Sequence, residues 1–177
     1  MEPRITEAFP IVYLAIILPV AATGDILSRK IPNWLTFSTM VTGIIYHTWT
    51  EGWKGLLSSA AGVAIGLGLL IIFYLSGGMG AGDVKLMGAV GSLVGPKGVF
   101  SAFLGTALFG GVYAIVIAML HGQVQNMIGR YGAMVKTFFY TRQIAYIPAS
   151  RGEKGPALYY GLAIAFGTLL SVLGRII

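Results

Sequence analysis

The chain has 177 residues, 56% of them hydrophobic and 10% charged, against roughly 45–50% and about 25% in ordinary soluble domains. The imbalance runs along the whole length, which excludes a soluble domain with a single anchor and points to one integral-membrane domain, residues 1–177. There is no cysteine for a disulfide framework or a thiolate metal site, and the net charge of +6 reads as basic loops facing anionic lipid, with no nucleic-acid partner.

Taken in order, the first apolar segment runs over residues 9–24, close to the roughly 17–25 residues that a spanning helix needs. Small residues at Ala21-Ala22-Thr23 resemble a signal-peptide cleavage site. Glu2 and Glu7 beside Arg4 do not make a positive leading region, so the segment is expected to stay as a helix. Asp25 follows, then Arg29-Lys30-Ile31-Pro32-Asn33. Pro32 holds Ile31 away from helical geometry, so the first helix must stop before it. Residues 34–49 form a second apolar helix bracketed by Trp34 and Trp49, a placement that suits the membrane interface. A turn is expected at residues 51–55, and residues 56–75 make a clean third span.

Gly77-Gly78-Met79-Gly80-Ala81-Gly82-Asp83 then places four glycines within six residues ahead of a carboxylate. Residues 84–94 continue as an apolar segment too short to cross alone, ending at Gly95-Pro96. A helix that starts before Asp83, or one that is tilted or half-inserted, would resolve this. Residues 99–120 make a full span containing Gly105, Gly110 and Gly111, small residues that let helices approach. Over 121–155 the basic residues Arg130, Lys136, Arg142, Arg151 and Lys154 interleave with apolar residues at helical spacing. That pattern fits an amphipathic helix on the membrane surface or one packed on the protein's own face. Residues 158–176 are the last span. The expected fold class is therefore all-α and polytopic, with about six transmembrane helices plus a cytoplasmic amphipathic segment.

Alternate connections divide the basic residues unequally. Arg29, Lys30, Lys85, Arg130, Lys136, Arg142, Arg151 and Lys154 fall on one side, and Arg4, Lys54, Lys97 and Arg175 on the other. The richer side is expected to be cytoplasmic. Asp25 and Asp83, the only two aspartates in the chain, then share that face.

An ionisable group inside a span costs roughly 2.5–3.5 kcal/mol at the helix centre and less near the interface. Two carboxylates that face each other there cannot both ionise comfortably and share one proton. That arrangement suits peptide hydrolysis, in which the ionised member activates water and the protonated one polarises the carbonyl. Gly80 and Gly82 would leave room for an extended substrate backbone and permit positive φ beside the carboxylate. Simpler readings stand beside this one. Asp83 would serve as a helix cap, and Asp25 as the partner of Arg29 and Lys30 in an interfacial ion pair. Alternatively, both would be proton or cation sites of a small transporter or channel. Asn33 fits a cap of the second helix or a substrate contact, and Lys85 fits an interfacial anchor or a contact to lipid phosphate. His47 and His121 lack ligand spacing and are expected at the interface.

Asp25 followed by Ile31-Pro32-Asn33-Trp34-Leu35-Thr36, then Gly80-Ala81-Gly82-Asp83-Val84-Lys85-Leu86-Met87-Gly88-Ala89-Val90-Gly91, resembles the type IV prepilin leader peptidases. These are membrane aspartic proteases of the GxGD class. The resemblance spans essentially the whole chain. It implies that Asp25 and Asp83 form a catalytic dyad. Gly80, Gly82, Lys85 and Asn33 are expected to shape the site, and no metal or cofactor is expected. The implied substrate is a prepilin or pseudopilin whose basic leader is cut at the cytoplasmic face of the bacterial inner membrane. Larger members carry a cysteine-paired loop after the first helix and often methylate the new N-terminus. This chain has only the short 26–33 loop, so it resembles the peptidase-only branch associated with tight-adherence (Flp-type) pili.

Overall fold

A computed structural model describes residues 3–120 and 159–174. Among the described residues all regular structure is α-helical: α1 Pro3–Ser28, α2 Asn33–Glu51, α3 Trp53–Leu75, α4 Ala81–Leu120 and α5 Tyr160–Leu173. The chain divides into two compact units, Met1–Gly110 with Tyr159–Ile177, and Gly111–Leu158. The packing of helix on helix belongs to the first unit, and the described part of the second is the end of α4. The basic segment 121–155, His121 included, lies outside the described residues.

Three stretches are long and apolar enough to cross a membrane, Ala8–Ser28, Trp53–Leu75 and Ala81–Ile117, and α5 is a shorter apolar helix. Burial follows the logic of a bundle in lipid. Large apolar side chains such as Val12, Ile16, Ile45, Ile72, Leu108 and Leu170 point outward, while Thr36, Thr39, Ser59, Ser92 and Thr106 are buried. Lipid tails are as apolar as leucine, so helices gain little by hiding leucine from them and associate through close packing and internal hydrogen bonds. The protein is a polytopic all-α membrane protein.

Glycines make the close packing possible. A Cβ on Gly62 of α3 would collide with the Gly91 carbonyl of α4, and one on Gly91 with the Gly62 carbonyl. Gly66 lies against the Met87 carbonyl in the same way, and Gly167 of α5 against the backbone of Gly105 and Thr106 in α4. Leu14 and Leu18 of α1, Leu35 of α2, Leu70 of α3, Met87 and Val90 of α4, and Ile164 of α5 fill the core between these seams.

One helix boundary differs from expectation, and the sequence leaves a second open. The turn between α2 and α3 is Gly52 alone, with φ 61°, so Trp53, Lys54 and Gly55 are already helical. One residue suffices because Gly55 lets the two helices close on each other against the His47 carbonyl. For the segment before Gly95 the first of the expected forms holds. It starts at Ala81, ahead of Asp83, and α4 resumes directly after a break at Gly95, where φ is 69° and ψ is −177°.

The break at Gly95 is stabilised from its flanks. Pro96 has no N–H for the Ser92 carbonyl four residues back; the Ser59 hydroxyl of α3 donates to that oxygen instead, at 2.8 Å. The next carbonyl, Leu93, accepts from His47 Nε2 of α2 at 2.9 Å. His47 is therefore a packing partner of α4.

Candidate active site

The end of α1 and the starts of α2, α4 and α5 meet where the two aspartates lie. Asp25 is in the last turn of α1, which closes when the Arg29 N–H donates to the Asp25 carbonyl at 2.8 Å. Arg29 takes the left-handed conformation there, φ 52°, a position helices usually give to glycine. The chain then needs only residues 29–32 to reach α2. Gly77, φ 73°, ends the α3 side of the glycine-rich stretch, and α4 begins at Ala81 with Asp83 in its first turn.

These ends enclose a cleft of about 450 Å³ lined by Asp25, Arg29, Lys30, Ile31, Pro32, Asn33, Gly80, Ala81, Gly82, Asp83 and Lys85. All six residues singled out in the sequence, Asp25, Asp83, Gly80, Gly82, Lys85 and Asn33, are therefore brought to one place. Asp25 and Asp83 are both nearly buried. Among the described residues no group of three acidic, histidine or cysteine side chains is placed to hold a metal ion.

Each carboxylate is held through one oxygen by a main-chain amide. The Gly80 N–H donates to Asp83 Oδ2 at 3.2 Å, the backward reach of an acidic residue in the first turn to the residue preceding the helix. The capping reading of Asp83 thus holds in part, yet it occupies one oxygen only. Asp83 Oδ1 is buried and accepts no hydrogen bond among the described residues. Asp25 Oδ2 accepts from the Gly161 N–H of α5 at 2.9 Å. Arg29 and Lys30 form no ion pair with Asp25 among the described residues.

Two local expectations are corrected. Gly80 and Gly82 do not have positive φ; among the described glycines only Gly52, Gly77 and Gly95 do. What they lack in side chain is used by the protein itself. A Cβ on Gly80 would stand 3.2 Å from Asp83 Oδ2, and one on Gly82 would stand 3.1 Å from the Ile31 Cβ. Asn33 does not cap α2. Pro32 holds the cap position without a side-chain bond, and Asn33 Oδ1 accepts from Lys85 Nζ at 2.9 Å. Lys85 thereby ties the start of α4 to the start of α2, with its ammonium 5.6 Å from the centre of the Phe37 ring.

Sequence reasoning missed Gly161. It sits in the last apolar segment, 136 positions from its partner, and nothing in its surroundings marks it out.

Residues 12–115, more than half of the chain, match the model of the type IV leader peptidase family. A "Prepilin leader peptidase/N-methyltransferase" of Bacillus subtilis (strain 168) is 33% identical over 122 residues, which is 67% of this chain and 48% of that protein. The chain thus spans about half the length of the curated relative it matches. No solved structure matches it.

Proposed function

Because the chain belongs to the type IV leader peptidase family, we propose that it is an aspartic endopeptidase of the GxGD type with Asp25 and Asp83 as its catalytic dyad. Its substrate is the leader of a prepilin or pseudopilin, cut at the cytoplasmic face of the bacterial inner membrane. One observation carries the reading: the only two aspartates of the chain line one cleft, although they lie in helices far apart in sequence.

The chemistry runs through the two oxygens that the backbone leaves free. One carboxylate is ionised and takes a proton from water as the water oxygen bonds to the scissile carbonyl carbon. The other carboxyl gives its proton to the carbonyl oxygen, leaving a tetrahedral diol. Collapse breaks the C–N bond. The departing nitrogen takes the proton removed from water, and a diol hydroxyl returns its proton to the second carboxylate. Placement at helix ends, rather than midway along a span, suits a substrate that approaches from the membrane surface. Arg29, Lys30 and Lys85 line the same cleft and would hold lipid phosphate or the polar part of the substrate. Methyl transfer is not part of the proposal, since α1 and α2 are joined by residues 29–32 without cysteine.

Asp25→Asn and Asp83→Asn each keep shape and remove charge. In membranes containing a co-expressed prepilin, each is expected to abolish leader removal, read as the mobility shift of the pilin, while the protein remains in the membrane fraction. Wild-type cleavage by either variant would overturn the dyad.

A further inference from the structure

Gly161 is the second residue of α5, so its N–H is one of the first four in the helix, which have no carbonyl partner within it. That donor is spent on a side chain of another helix, Asp25 Oδ2 at 2.9 Å. Both residues are buried. The fit around this bond is close: a Cβ on Gly161 would stand 2.9 Å from Asp25 Oδ2, 3.0 Å from its Cβ and 3.2 Å from its Cγ. Hydrogen at this position lets α5 come near enough for its amide to reach the carboxylate. The bond also lies at the positive end of the α5 dipole, where a carboxylate is favoured.

We propose that Gly161 is a positioning residue for the reaction: its amide fixes the rotation of the Asp25 carboxylate and turns Oδ1 toward the substrate. This rests on the assignment of Asp25 to the dyad. Gly80 does the same for Asp83 from the start of α4. The two carboxylates are thus aimed by two main-chain amides from two separate helix starts. Among the described residues no side chain donates a hydrogen bond to either carboxylate. Gly161 acts on the chemical step alone, because it touches Asp25 and does not line the cleft.

Two substitutions separate the amide from the space it needs. Gly161→Ala keeps the N–H but adds a Cβ against Asp25. Gly161→Pro adds a Cβ too and also removes the N–H, at a first-turn position where proline is tolerated. With purified protein and a prepilin peptide, Gly161→Ala is expected to lower kcat roughly 10²-fold, the scale of an ångström-sized misplacement. Gly161→Pro is expected to lower it further, with KM within about twofold in both. Unchanged kcat in Gly161→Pro, alongside an inactive Asp25→Asn, would overturn the positioning role and leave the dyad standing. Activity in Asp25→Asn would instead remove the dyad itself. A measurement that needs no substitution at 161 guards against misfolding of these variants. In ¹⁵N-glycine-labelled protein the Gly161 amide proton should resonate downfield and move upfield in Asp25→Ala, and a resonance that does not move refutes the bond.

Discussion

At the scale of single residues, the site is built by subtraction. Gly80 and Gly82 are adjacent to the carboxylate in sequence but are empty for different reasons. The first leaves space for the Asp83 oxygen that its own amide binds, and the second lets Ile31 close on the start of α4. Gly80→Ala retains the amide and pushes on Asp83 Oδ2, so kcat for prepilin cleavage is expected to fall about tenfold or more, with normal levels of protein in the membrane. A wild-type rate would show that the Asp83 rotamer is not held from this side. Asp25 and Asp83 were legible in the sequence because aspartate is rare in this chain and both examples sit at the ends of apolar segments. Gly161 was not, because a glycine in an apolar helix carries no mark of what its amide will reach.

At the scale of the helix, α4 depends on its neighbours to survive Gly95-Pro96. The sequence announces a break there, and proline explains why the Ser92 carbonyl loses its partner. It does not announce that Ser59 and His47, on two other helices, replace the missing donors, because such contacts depend on which helices pack together. Ser59→Ala and His47→Leu each leave a carbonyl unsatisfied, the first of them from a fully buried hydroxyl. Each is expected to cost about 1–3 kcal/mol, measurable by denaturant unfolding in detergent. Two unperturbed unfolding curves would mean that the break is stabilised by other means. The ends of α1 and α3 were easier to read, since Pro32 and the glycines after Ser76 stop those helices locally.

At the scale of the whole molecule, composition and charge were enough for the class and for the expectation that both aspartates share one face. The pairing of helices was beyond reach. α1 packs on α5 and α2 on α3, and α4 meets α3 along the Gly62–Gly91 seam; the helical spacing of Gly55, Ser59, Gly62 and Gly66 marks the packed face of α3 but not which helix meets it. A matched pair of substitutions checks the seam. Gly62→Leu must separate two backbones in contact and is expected to lower the melting temperature sharply or prevent recovery of folded protein. Gly68→Leu, in the same helix and with nothing within 4 Å, is expected to leave the melting temperature near that of the parent. Equal effects at both positions would refute the seam.

The amides that hold the two carboxylates have a consequence for how such a site can change over generations. A donor on a side chain disappears with one codon change. A main-chain donor survives every replacement except proline, so the residues at 80 and 161 are constrained in size and, proline apart, not in chemistry. Divergent relatives can therefore lose every recognisable letter around the cleft, apart from the aspartates and two small residues, and still aim the carboxylates in the same way.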